Sequence, residues 1–205
     1  MSTLKMVILG RQGSGKGTQS LLICEAYGAI HVSTGEMLRS AVAQASTLGL
    51  QAQQIMESGS LVSDEIMNGL VAERFNHRDI TEHGVLLDGF PRTVAQANAL
   101  ESILEGRGQD LDIAINLDVP LDIVTDRMLA RSRKDDTPEA IKRRLDLYEK
   151  ETEPLLDWFT SRNLLHSVDG VGSETEVFAR ISASIADNTE ASRLSASVDT
   201  REAQR

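Results

Sequence analysis

Residues 4–18 read Leu4-Lys5-Met6-Val7-Ile8-Leu9-Gly10-Arg11-Gln12-Gly13-Ser14-Gly15-Lys16-Gly17-Thr18, and a helix-period stretch through Leu21, Leu22 and Cys24 follows. A short apolar strand, a glycine-rich turn and a helix start make a cradle for phosphate. Glycines at 10, 13, 15 and 17 let backbone N–H groups turn inward with no Cβ in the way, and the helix N-terminus adds the positive end of its dipole. Lys16 then has the reach to bridge the β- and γ-phosphates of a nucleotide. Gly17 stands where the general motif carries Ser or Thr for magnesium, so Thr18 is the nearest hydroxyl for that role.

Four more apolar runs follow at Ala29–Val32, Val85–Leu87, Ile113–Leu117 and Leu164–Val168. Between them lie segments with apolar residues three and four apart: Met67, Leu70, Val71, Phe75; Val94, Ala97, Leu100, Leu104; Ile141, Leu145, Tyr148, Leu155, Phe159; Val177, Ile181, Ile185. Short, continuously apolar strands alternating with amphipathic helices predict an α/β fold with a five-stranded parallel sheet covered on both faces. About fifty residues separate the second strand from the third, too many for one crossover helix. Residues 33–62 are therefore expected to form two small helices in an inserted subdomain. Beyond Ala186 the chain turns polar and weakly patterned, and residues 187–205 are expected to fray as a tail.

The third run ends in an acid, Val85-Leu86-Leu87-Asp88. A carboxylate there can hold magnesium and its waters; the competing reading is an Asp that opens the turn with Gly89. No Asn-Lys-x-Asp run occurs in the chain, which disfavours a GTPase.

The chain has 205 residues and a net charge of −10, from 21 basic and 31 acidic side chains. That balance argues against binding nucleic acid or a membrane surface, and 3% aromatic content disfavours base-stacking platforms. The one cysteine, Cys24, excludes an internal disulfide framework and a multi-cysteine zinc site. His31, His77, His83 and His166 show no ligand spacing and read as structural or exposed residues. No segment reaches the ~18 apolar residues of a membrane helix, and the first residues lack a signal-peptide pattern. A cytoplasmic monomer is the expectation.

Against this acidity, residues 127–144 gather seven of the 21 basic side chains with three acids, a local charge of +4. Arg127, Arg131, Arg133, Arg143 and Arg144 belong to it, and they read as a polyanion site. Asp136 reads equally as the N-cap of a helix opening at Thr137-Pro138-Glu139 and as an acid that orients those arginines.

The glycine loop, Ser33-Thr34-Gly35-Glu36-Met37-Leu38-Arg39, and Asp88-Gly89-Phe90-Pro91-Arg92-Thr93 with Gln96 together resemble the adenylate kinases, over residues 4 to about 186. The resemblance implies a P-loop NTPase-type domain (residues 1–186) with an AMP-binding insertion at 33–62 and a short lid at 130–136, the core being 1–32, 63–129 and 137–186. It implies reversible transfer of the terminal phosphoryl group of MgATP to AMP, giving two ADP. Gly13, Ser14, Gly15, Lys16, Gly17, Thr18, Arg127, Arg131 and Gly172 would bind ATP. Thr34, Arg39, Ser60, Leu61, Val62, Gly89, Phe90, Pro91, Arg92, Gln96, Arg133 and Arg144 would bind AMP. Lys16, Arg92, Arg131, Arg133 and Arg144 would act in catalysis, with Asp135 and Asp136 orienting the arginines. Magnesium would ride on the nucleotide near Thr18 and, through water, Asp88; the short lid leaves no zinc site.

Two simpler roles compete with these. Ser33 with Glu36 makes a capping box, and Gln96 fits a solvated helix position. A pyrimidine monophosphate kinase is the nearest rival, against which Thr34, Thr93 and Gln96 speak for adenine. A nucleotide-binding regulator without turnover is the rival from another class, opposed by the intact Lys16 and Asp88. Arg11 and Gln12 depart from the small residues usual in the family's loop.

Overall fold

The computed structural model describes residues 3–44, 49–50, 53–55, 58, 60–131 and 137–202, the side chains of 131 and 190–202 excepted. The five apolar runs form β1 (Lys5–Leu9), β2 (Ile30–Ser33), β3 (Val85–Asp88), β4 (Ile113–Asp118) and β5 (Leu165–Asp169). They pair in parallel in the order β2-β3-β1-β4-β5. The expected sheet is present, with each strand end within one residue of its run.

Alternate side chains of the central strands go to opposite faces. Val7, Leu9, Val85 and Leu87 join one core with Val71, Phe75, Leu100 and Phe159. Met6, Ile8, Leu86 and Ile115 join the other with Ile23, Ile181 and Ile185. Fully burying one such side chain contributes about 1.5–3 kcal/mol, which is why the runs are apolar at consecutive positions rather than alternate ones.

The helices that supply those partners are α1 (Lys16–Tyr27), α2 (Thr34–Ala43), α3 (Asp64–Arg74), α4 (Arg78–His83) and α5 (Val94–Glu105). They are followed by α6 (Leu121–Arg131), α7 (Pro138–Leu147), α8 (Pro154–Thr160) and α9 (Glu174–Glu202), with a π-helical turn, Tyr148–Thr152, between α7 and α8. Helix α1 packs on α9 against one face of the sheet, and α3 packs on α5 against the other. A third cluster of Val119, Val124, Met128, Ile141 and Leu145 ties α6 to α7 at one end.

Local starts follow from capping chemistry. Ser33 accepts from Glu36 N at 3.4 Å and begins α2, so that residue does cap. Thr93 accepts from Gln96 N at 3.1 Å and begins α5. Helix α7 is capped by Thr137, which accepts from Ala140 N at 3.1 Å with Pro138 in first place. The expected cap at Asp136 is thereby corrected: proline fits the first helical position, and the cap must directly precede it.

Two expectations change further along. The insertion holds α2, helical residues at 49–50 and 53–55, and non-helical residues at 58 and 60–62; residues 45–48, 51–52, 56–57 and 59 lie outside the described residues. The tail expected to fray after Ala186 continues α9 to Glu202 instead. No Gly or Pro interrupts residues 174–202, and Asn188 Nδ2 anchors the start of this stretch on the Asp112 carbonyl at 3.0 Å.

The topology sets the place of the site. β1 lies between β3 and β4, so the chain leaving β1 and the chain leaving β4 diverge to opposite sides. Ligands collect at the carboxyl ends of strands at such a point, and Ser33 and Ile8 both lie in register with Asp88 there.

Candidate functional site

A cleft of about 630 Å³ opens over these strand ends. The glycine loop forms one wall. Gly13 has φ +89°, and a Cβ there would meet the Val124 carbonyl oxygen at 2.5 Å, so only glycine lets the loop press against α6. At Gly15 a Cβ would meet nothing within 4 Å. Gly15 is also the N-cap of α1 and offers no side chain to the first-turn amides, which leaves the helix start disposed toward an anion. Lys16 Nζ lies across the loop, donating to the carbonyls of Gly10 at 2.6 Å and Arg11 at 2.9 Å.

Asp88 forms the floor at the end of β3. Burial pushes its carboxyl up, but the His31 ring and the charges of Lys16 and Arg92 outweigh burial and hold it below the ordinary carboxylate value. His31 Nε2 stands 3.7 Å from Asp88 Oδ2. The group is a stabilised anion.

The opposite wall is cationic. Arg92 lies open to the cleft but is ringed by protein. The low-dielectric walls lower its guanidinium value first, Arg144 and Arg39 add like charge, and Asp88 opposes them. The residue is tied at three points: its backbone N donates to Gln96 Oε1 at 2.8 Å, its carbonyl accepts from Thr152 Oγ1 at 2.9 Å, and its side-chain Nε donates to the Gly89 carbonyl at 2.8 Å. Gly89 has φ +81°, and a Cβ would fall 2.9 Å from Thr34 Oγ1 and 3.0 Å from the Arg92 guanidinium. Thr34 Oγ1 itself donates to the Gly89 carbonyl at 2.9 Å. Tethering three guanidinium groups together costs Coulomb energy, about 1 kcal/mol for each like pair near 4 Å in water and more beside protein. A polyanion in the cleft relieves that cost.

Most of the expected site residues meet here. Gly13, Gly15, Lys16, Gly17, Thr18 and Arg127 line the loop side. Thr34, Arg39, Ser60, Leu61, Val62, Gly89, Pro91, Arg92, Gln96 and Arg144 line the rest. Arg127 Nη1 stands 3.4 Å from the Ser14 carbonyl and 3.5 Å from that of Gly13.

Three residues sit elsewhere. Ser14 is buried under the loop. Phe90 is buried in the core. Gly172 is exposed in the turn between β5 and α9 and does not line the cleft. The side chain of Arg131, all of Arg133, and the lid residues 132–136 with Asp135 and Asp136 lie outside the described residues. Among the described residues no three His, Cys, Asp or Glu side chains converge to hold a metal ion.

Three cleft residues and one behind the cleft wall escaped the sequence reading in their roles. His31 faces Asp88 instead of serving only as packing or surface; it shares a strand face with Ser33, whose register partner is Asp88, and that parity was the available signal. Tyr148 and Thr152 line the cleft from the π-helical turn, a local irregularity common at functional sites but without sequence signature here. Asp64 accepts from Gln96 Nε2 at 2.7 Å and Thr93 Oγ1 at 3.1 Å, a long-range contact with no local signal. Gln96 is buried at 2% exposure, which corrects its alternative reading as a solvated helix residue.

Comparison with known proteins adds an independent finding. A protein-family model described as adenylate kinase matches residues 8–164. The chain is 45% identical over 186 residues to the adenylate kinase of Stenotrophomonas maltophilia strain R551-3, covering 89% of this chain and 99% of that protein. It is 44% identical over 182 residues to the adenylate kinase of Xanthomonas campestris pv. campestris strain 8004, covering 87% and 97%. It is 44% identical over 179 residues to the adenylate kinase of Mycobacteroides abscessus, again covering 87% and 97%. Among the described residues no helix is long and apolar enough to cross a membrane.

Proposed function

The chain belongs to the adenylate kinase family, and from that membership we propose how its cleft brings two nucleotides together. It is an adenylate kinase, transferring the terminal phosphoryl group of ATP to AMP and releasing two ADP. ATP takes the loop side, its phosphates wrapped by the amides of residues 13–18 with Lys16 bridging β and γ. AMP takes the side of Thr34, Arg39 and residues 60–62, with its phosphate on Arg39, Arg92 and Arg144. The single observation that carries this division is that Lys16, Asp88, Arg39, Arg92 and Arg144 ring one cleft.

Adenylate kinases use magnesium with ATP, and the residues present suit it. Mg²⁺ keeps most of its waters and is held by phosphates with one or two carboxylates, and Asp88 is an ionised carboxylate beside Lys16 while Thr18 offers a hydroxyl. Bound on ATP, the ion neutralises phosphate charge.

No general base is needed. The acceptor is a phosphate with a second pKa near 6, so its oxygen is already largely anionic at neutral pH. The obstacle is repulsion between two polyanions. Lys16 and the arginines offset it and stabilise the charge spread over the transferring group; arginine serves better than lysine because its planar fork grips two oxygens at once. By the family resemblance Arg131 and Arg133 would join this set from the lid. The enzyme works as a cytoplasmic monomer on free nucleotides, without zinc, nucleic acid or membrane: one chain supplies all these residues, and its charge of −10 suits it to small polyanions only where cations are concentrated.

Coupled ADP release with ATP and AMP, CMP, UMP or GMP as acceptor tests the reading. AMP is expected to lead in kcat/KM by at least 100-fold. A lead for CMP or UMP overturns the acceptor assignment, and no turnover with any acceptor overturns the division of the cleft.

A further inference from the structure

The Gln96 amide lies in the cleft wall at 2% exposure. Its Oε1 accepts from the Arg92 N–H at 2.8 Å, and its Nε2 donates to Asp64 Oδ1 at 2.7 Å. The second oxygen of Asp64 accepts from Thr93 Oγ1 at 3.1 Å. Asp64 begins α3, one residue beyond the wall residues 60–62, and its carboxylate is committed to the first turn of α5 with both oxygens.

These partners leave the amide one orientation. A backbone N–H only donates and a carboxylate only accepts. Turning the amide over would set Nε2 against the Arg92 N–H and Oε1 against the Asp64 carboxylate, two like-facing contacts at a buried position, where each unpaired polar group is costly. The two existing bonds still leave Gln96 a second oxygen lone pair and a second N–H by valence.

Orientation matters because purines differ in polarity at one edge. Adenine presents a donor at N6 and an acceptor at N1. Hypoxanthine and guanine present an acceptor at O6 and a donor at N1. An amide held one way round matches the first pattern and opposes the second, and a site built to satisfy one hydrogen-bond pattern rejects its reverse strongly. We propose that Asp64 is the positioning residue that holds the Gln96 amide in the orientation suited to adenine and set against 6-oxopurines. The proposal rests on Gln96 contacting the acceptor base. Asp64 lies outside the cleft lining and reaches the base only through Gln96, which it bonds directly.

The test compares AMP with IMP, which differ only along that edge, at position 6 and N1, as acceptors for ATP. In Asp64→Asn the neighbouring side chain offers either a donor or an acceptor, so one of the two constraints on the Gln96 amide is lost and only the Arg92 N–H still opposes turning it over. The kcat/KM ratio of AMP to IMP is expected to fall at least 10-fold, with KM for ATP unchanged. Because the ratio is taken within one sample, it does not depend on how much of the variant is folded. If Asp64→Asn does not accumulate, Asp64→Ser carries the same test, since a hydroxyl also donates and accepts. Gln96→Ala is expected to collapse the ratio by itself and to abolish any further effect of Asp64→Asn. An unchanged ratio in Gln96→Ala overturns the base contact itself. A collapsed ratio in Gln96→Ala with an unchanged ratio in Asp64→Asn overturns the role of Asp64, as does an equal loss for both acceptors.

Discussion

The hydroxyl of Thr152 donates a 2.9 Å hydrogen bond to the backbone carbonyl of Arg92. It joins the π-helical turn to the arginine at the centre of the cationic wall, and Thr152 is itself buried at 8% exposure. Thr152→Val keeps the shape and removes the donor, leaving a part-buried carbonyl short of a partner at a cost of about 1 kcal/mol. We expect a thermal midpoint several degrees lower and KM for AMP raised several-fold with KM for ATP unmoved. Equal changes in both KM values would separate Thr152 from the AMP side.

Lys16 Nζ rests on the Gly10 and Arg11 carbonyls at 2.6 and 2.9 Å. Those bonds hold the lysine across the glycine loop, where in the proposed function phosphate oxygens would take over from the carbonyls as acceptors. Lys16→Met preserves the length of the side chain without its charge. Turnover in a coupled ADP assay should fall at least 100-fold, as expected for a charge aimed at the transferring group, while the circular dichroism spectrum is retained. Wild-type turnover in the variant would leave the phosphate cradle without its anchor.

Strand and loop were legible because their signals are local. β1 and Gly10 to Thr18 lie together in one stretch, and the β3 run ends at Asp88 as a strand bearing a site acid should. Helical faces were legible from spacing where they bury one stripe, as at Val177, Ile181 and Ile185. What escaped lies in pairings between distant segments. Asp64 meets Gln96 and Thr93 only because α3 packs on α5, and His31 meets Asp88 only because β2 joins β3 in parallel. The continuation of α9 was missed for another reason. Residues beyond Ala186 lack an apolar stripe, and the absence of helix breakers is a weaker signal than periodicity.

Asp88 carries a pH prediction with a definite sign. Burial raises its value, but His31, Lys16 and Arg92 together bring it below the ordinary 3.8. A carboxyl whose folded value is depressed adds stability above its unfolded value, and that contribution is lost as pH falls through the folded value. The urea midpoint of the wild type should therefore exceed that of Asp88→Asn from pH 5 to 7, and the gap should close as pH drops below 3.8. A gap that widens on acidification would reverse the assignment of Asp88 as a stabilised anion.

Cys24 sits on the same helix as Lys16 but on its sheet-facing side, packed against the core of Ile23, Ile181 and Ile185. Burial pushes its thiol up to about 11 from 9.0. The thiolate is the nucleophile, and at pH 8 its fraction falls about 100-fold between those two values. Carbamidomethylation by iodoacetamide at pH 8 should accordingly run about 100-fold slower in the folded protein than in the urea-unfolded chain, before any further slowing from restricted access. The rate should climb about tenfold per pH unit up to pH 10, since the folded group is still mostly protonated there. Equal rates in the folded and unfolded states would show that α1 leaves Cys24 open to water, and with it the seating of the helix whose first residue is Lys16.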